Sequence, residues 1–266
     1  MAMRKSKDGR GRTSGRSRGG PGCLSVIFLI LFVLAAAAST VAIFFKIRRI
    51  EVVGNQRYTF DQICSSAEIE VGDNLIFLNK FEKISNIFSR LPYVDEVKMS
   101  RRLPDTLLIE VKECVAVAAF NDGDGHWLIS EDGKVLERVR LLPKEHLIRI
   151  EGAGLKSPQP GKKAGIGGDE EDGEMKFSAM VEALRAIMDS TIAEDVDMLD
   201  IGKVYNVEFH YLGRFKVRLG MPEHLDYKID CLKEIVNGYL GPGDKGTIDL
   251  SELMDGKPAR FIPENQ

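Results

Sequence analysis

Cysteine is scarce in this sequence, with four in 266 residues and no pair at Cys-x-x-Cys spacing. That excludes a disulfide-dense secreted scaffold and removes the commonest zinc signature. The four histidines, His126, His146, His210 and His224, are scattered without a His-x-x-x-His pair, so no metal is expected. The acids Glu194, Asp195, Asp197 and Asp200 lack the glycine and closing glutamate of a calcium loop and read as a solvated face. Glycine clusters at 152–154 and 165–168 miss the phosphate-cradling spacing, and no Ser-x-x-Lys pair occurs. The residues therefore point to no catalytic or cofactor site.

Charge of one sign is missing overall, but not locally. The net of −3 from 37 basic and 40 acidic residues hides a tail, residues 1–22, in which seven basic residues face only Asp8. The tail has a net of +6 and leaves −9 on the rest. Aromatic residues are absent from it, so stacking on nucleic-acid bases is not expected, and nucleic acid is not read as a partner. Residues 24–45 carry no charge at all. As a helix they span about 33 Å, enough for a bilayer core of about 30 Å. A cleaved signal peptide would turn polar after the small residues Ala35 to Ser39, whereas Val41 to Phe45 continue the apolar run. The run is read as a retained single-pass anchor with its N-terminus in the cytoplasm, held there by the basic tail. The body is then extracytoplasmic.

Beyond the anchor the patterning describes an α+β chain. Ile50 and Val52 alternate as a short strand before Gly54-Asn55. Thr59 and Gln62 form a capping box opening a helix, with Tyr58 placed to staple onto Ile63. A second helix runs from Asn79 to Pro92 with Phe81, Ile84, Phe88 and Leu91 on one face. Val97 to Arg101 and Leu107 to Val111 alternate around Leu103-Pro104-Asp105 as a hairpin, completing a β-α-α-β-β unit. A mixed sheet with helices follows. Trp127 to Ile129 and Val135-Leu136 flank an Asp-Gly turn. Phe177, Val181, Leu184 and Met188 mark a helix face, and strands are read at 205–211 and 215–219. Leu225, Ile229, Leu232, Val236 and Tyr239 mark a longer helix closed by Gly241-Pro242-Gly243. The stretch 156–173, rich in glycine, proline and charge, is read as a flexible insertion whose trimming costs little. Of Cys64, Cys114 and Cys231, three cannot all pair. A Cys64–Cys114 bridge requires Cα atoms within about 7 Å, and free thiols are the preferred reading. The divisions are a tail (1–23), an anchor (24–45), a first domain (46–115) and a second (116–266).

Several stretches carry a family resemblance. IRRIEVVGNQRYTFDQI and GDNLIFLNKFEKISNIFSRLPYVDEVKMSRRLPDTLLIEVKE resemble the POTRA domain of the FtsQ/DivIB bacterial cell-division proteins. WLISEDGKVLE, RFKVRLGMPEHLDYKIDCLKEIV and GTIDLSEL resemble that family's following β-domain, in the same order. The resemblance implies a non-enzymatic scaffold of the division assembly without cofactors, located in the bacterial cell membrane and enriched at the septum. It also implies FtsL-like and FtsB/DivIC-like bitopic coiled-coil partners and a link to the septal peptidoglycan synthesis machinery. The closing runs 247–250 and 259–262 are expected to pair around a turn at 254–258, leaving an open edge for such a partner. Ile248, Leu250, Arg260, Phe261 and Ile262 are the candidate contacts, and the plain alternative is that the apolar ones are core residues. Two other readings stay open: a POTRA-like component of a secretion or sporulation assembly, and an anchored enzyme whose site the sequence does not show.

Overall fold

The computed structural model describes residues 23–264, so the basic tail lies outside the described residues. Helix α1 (Cys23–Phe44) is apolar all round and is long and apolar enough to cross a membrane. A three-stranded sheet follows, built from β1 (Arg49–Val53), β2 (Val94–Arg102) and β3 (Thr106–Glu113) in the order β1-β3-β2. β1 runs parallel to β3, and β2 antiparallel. Helices α2 (Phe60–Ala67) and α3 (Lys80–Arg90) lie between β1 and β2 in the chain. The β-α-α-β-β order is the one read from the sequence. Its capping box is present: the Gln62 amide donates to Thr59 Oγ1 at 3.2 Å, and the Thr59 amide to Gln62 Oε1 at 2.9 Å. Ile63, Ile87, Leu107 and Ile109 are fully buried at the centre of this unit.

One expectation on α3 fails. Ile87 and Leu91 face the core, with Ile84 and Phe88 partly covered, but Phe81 is 87% exposed. It sits in the first turn, where the stripe has already rotated off the sheet.

The second sheet has nine strands in the order β12-β11-β10-β9-β8-β7-β4-β5-β6. They are β4 (Ala118–Asn121), β5 (His126–Ile129), β6 (Val135–Val139), β7 (Ile148–Glu151), β8 (Val196–Asp200) and β9 (Val207–Tyr211). β10 (Phe215–Gly220), β11 (Gly246–Asp249) and β12 (Arg260–Pro263) complete it. Parallel pairs β4/β7, β7/β8 and β10/β11 make the sheet mixed. Helices α4 (Glu170–Met188) and α5 (Leu225–Tyr239) share one continuous core with it, in which Phe120, Phe209 and Phe215 are the largest fully buried side chains. The acids expected on a solvated face are partly in β8, where Val196 and Leu199 between them are fully buried. Cys64, Cys114 and Cys231 are free thiols, and burial pushes the Cys64 thiol up to about 11.

Residues 156–173 are tied down, contrary to the expectation of a flexible insertion. The Gly161 amide donates to the Val135 carbonyl and the Val135 amide to that of Lys162, both at 2.8 Å. The Ala164 amide reaches the Gly133 carbonyl at 2.8 Å, and Ala164 and Ile166 are buried in the core. Asp169 then caps α4, which begins inside the stretch at Glu170. Turn-rich composition hid these contacts, because irregular backbone bonded to an edge strand has no side-chain period. Replacing 156–168 by a short Gly/Ser link should therefore lower unfolding stability by about 2 kcal/mol or more, from the loss of Ile166 burial alone. A shift in the urea midpoint of the purified body checks this.

The two units meet at a small apolar cluster containing Tyr93, Leu128, Leu136 and Leu147. The Tyr93 hydroxyl donates to Glu137 Oε1 at 2.6 Å while the Arg57 guanidinium stacks over its ring at 3.6 Å. Burial, then the bond to Glu137, pushes the Tyr93 phenol well above the ordinary tyrosine range.

A candidate partner-binding edge

The last strand owes its place to the turn before β11. The Gly241 amide donates to Asp244 Oδ2 at 2.7 Å, and Arg214 Nη1 donates to the Gly241 carbonyl at 2.6 Å. This closes α5 and returns the chain beside β10. β11 then pairs parallel with β10, Phe215 opposite Gly246, and β12 pairs antiparallel with β11, Ile248 opposite Phe261. β12 is thus the outermost strand of the sheet, as the closing runs suggested.

The candidate contacts divide into two groups. Ile248 and Leu250 are fully buried, which corrects their assignment as partner contacts: strand alternation turns them into the core beneath the edge. Phe261 is half-buried and lies edge-on to Phe215, ring centroids 6.2 Å apart. Ile262 is 49% exposed and Arg260 is exposed. Backbone parity sharpens the picture. The Glu264 amide donates to the Lys245 carbonyl at 2.9 Å, so the two-residue alternation turns the Ile262 and Arg260 amides toward β11. The amide and carbonyl of Phe261 and the carbonyl of Pro263 point outward, and Pro263 has no amide to offer.

A row of alternating charge, missed in the sequence, crosses the last four strands. Glu208 on β9 lies 3.1 Å from Arg218 on β10, which lies 3.9 Å from Asp249 on β11, whose register partner on β12 is Arg260. Only the pairing of distant strands assembles it, so no local spacing could have revealed it. Burial alone would raise the Glu208 carboxyl, but Lys216, Asn206 and Arg218 outweigh it and hold the group below the ordinary value. A depressed folded-state value contributes stability that is present above the ordinary glutamate value of 4.5 and is lost as pH falls through the lower one. Stability should thus decline in that acid window, and Glu208→Gln should flatten this part of the profile in urea titrations.

The model of the POTRA domain, FtsQ-type, matches residues 45–113, the three-stranded unit. Over most of the chain, the cell division protein DivIB of Clostridium botulinum strain Hall is 25% identical over 239 residues, covering 89% of this chain and 90% of that protein. DivIB of Clostridium acetobutylicum is 25% identical over 211 residues, 78% of this chain and 80% of its own. The cell division protein FtsQ of Corynebacterium glutamicum is 29% identical over 133 residues, 49% of this chain and 59% of that one. The chain therefore carries an FtsQ-type POTRA domain at residues 45–113 and resembles the DivIB/FtsQ cell-division proteins over most of its length.

Proposed function

We propose that this protein is a non-enzymatic scaffold of the bacterial division assembly. In this reading α1 anchors it with the N-terminus in the cytoplasm, and its extracytoplasmic units, divided at about residue 115, join FtsL-like and FtsB/DivIC-like subunits to the septal peptidoglycan synthesis machinery. The observation that carries the reading is the similarity to DivIB over about nine-tenths of both chains. The open edge at β12 supports the mode of binding: a partner segment adds as a further strand and bonds to the outward groups of Phe261. Arg260 ends the charge row, so the added strand should place an acidic residue beside it, since opposite charges on neighbouring strands contribute about 0.2–1 kcal/mol.

A fluorescent fusion enriched at mid-cell tests the role, and protease digestion of the body on spheroplasts tests the orientation. For the edge, capture of the coiled-coil partner by purified variants is the measurement. Ile262→Glu should weaken capture while leaving the urea midpoint in place, because its side chain is exposed, whereas Arg260→Glu should weaken capture and lower the midpoint a little, since it sets an acid opposite Asp249 and beside Glu252. Phe261→Ala should lower both, as its ring also covers Phe215. Full capture by Ile262→Glu and Arg260→Glu would place the partner elsewhere.

A further inference from the structure

We propose that the turn at residues 71–77, with the first turn of α3, is a membrane-inserting foot that dips into the lipid interface beside the anchor. The inference rests on α1 crossing a membrane. It starts from a bond between the body and the anchor's last turn: Asn74 Nδ2 donates to the Val41 carbonyl at 3.0 Å and lies 3.4 Å from that of Ala42. The backbone follows. The Leu75 amide donates to the Phe45 carbonyl at 2.8 Å, the Ile47 amide to that of Asp73 at 2.7 Å, and the Gly72 amide to that of Ile47 at 2.8 Å. These bonds fix the height of the turn relative to α1.

That height is inside the apolar run. Val41 lies four residues before Phe45, the last apolar residue, so Asn74 touches the helix about 6 Å short of the end of the run at about 1.5 Å per residue. The Val41 carbonyl also accepts the Phe45 amide at 3.3 Å, so Asn74 is a second donor to it, while at Ala42, in the last turn, the same side-chain amide supplies a partner where an unpaired carbonyl in lipid is costly. Asn74 Oδ1 also accepts the Ile76 and Phe77 amides, at 2.9 and 3.2 Å, holding the turn against the anchor.

Beside the exposed acids Asp73 and Glu82, which are suited to the headgroup level, the turn and the start of α3 present uncovered apolar side chains. Val71 is 67% exposed, Phe77 70% and Phe81 87%. In water such a set is a loss, whereas at the acyl–headgroup boundary, about 5–10 Å deep, aromatic and aliphatic side chains are stabilised. The cations Lys46, Arg48 and Arg49 leave the anchor at the same level, exposed, and suit anionic headgroups. The occupant that fits is the bilayer itself, because the patch is continuous with the segment already within it.

The test uses the full chain in vesicles of phosphatidylcholine and phosphatidylglycerol, on a Trp127→Phe background that removes the one native tryptophan. Phe77→Trp reports the turn and Phe32→Trp the anchor, both at exposed positions that accept the larger ring. Lipids brominated near the headgroup should quench Phe77→Trp most and shift its emission blue, while lipids brominated deep in the chain should quench Phe32→Trp most. Water-like, unquenched emission from Phe77→Trp with a quenched Phe32→Trp overturns the foot and leaves the anchor standing. Blue but unquenched emission from Phe77→Trp overturns it in favour of a protein cover, such as a second copy. An unquenched Phe32→Trp removes the anchor reading and this one together.

Discussion

Lys228→Ala is expected to lower the stability of the nine-stranded unit by about 3 kcal/mol or more, through lost hydrogen bonds and a cavity together. Lys228 is 1% exposed on α5, and its Nζ donates to the Leu219 carbonyl at 2.6 Å and to the Met221 carbonyl at 2.9 Å. Those carbonyls belong to the end of β10 and the residue after it, so the lysine fastens the helix to the strand two in from the sheet's β12 edge. Alanine withdraws the donor from both and empties the space of a four-carbon stem. Lys228→Met separates the two effects: it refills most of the volume and should recover part of the loss, leaving the cost of the carbonyls. Urea unfolding of the two variants against the parent gives the comparison, and equal stability of all three would show that neither bond contributes.

Gly246→Val should detach the last strand and abolish partner capture without altering any side chain that faces the partner. At Gly246, with φ +154°, a Cβ would lie 2.2 Å from the Ile262 carbonyl oxygen and 2.9 Å from Pro263 Cα. Those atoms are backbone of β12, which can yield only by moving away from β11. A valine in a conformation that side chains rarely adopt adds strain of about 1–3 kcal/mol. Freed from β11, the strand would uncover Phe215 and lose its parity, so the expected result is a lower unfolding midpoint and no capture, with the POTRA unit still cooperative. Capture at parent level would mean that β12 is not the contact.

The POTRA unit was legible because its signals are local. Thr59 and Gln62 announce a helix start, and Val97 and Leu107 open runs that alternate cleanly on one face of a hairpin. The larger sheet was less legible where its strands lie in parallel pairs. β4 and β7 are four-residue strands within the sheet: β4 is too short and too uniformly apolar to show a period, and β7 alternates but over only four residues. β8 was obscured differently: a bulge between Val196 and Met198 breaks the alternation, and its acids read as a solvated face. On α5, Lys228 falls on the apolar stripe between Leu225 and Ile229, but a lysine there is ordinarily at the flank, and only the strand end behind it explains its burial. Tyr239, read as part of that stripe, is 84% exposed. Of the candidate site, the edge position of 260–263 followed from the turn before it. The separation of Ile248 and Leu250 from Phe261 and Ile262 required knowing which way each strand faces.

The parity of β12 sets the strength of whatever it holds. Within the described strand, only the two backbone groups of Phe261 and the Pro263 carbonyl are offered outward, and each hydrogen bond contributes a net of about 1 kcal/mol. Such a grip is weak between molecules free in three dimensions. Two chains confined to one bilayer meet at a high effective concentration, which multiplies a weak contact without adding any atom to it. A short, proline-ended edge would then favour avidity over affinity, so that the complex forms where anchored partners crowd together and disperses when they dilute.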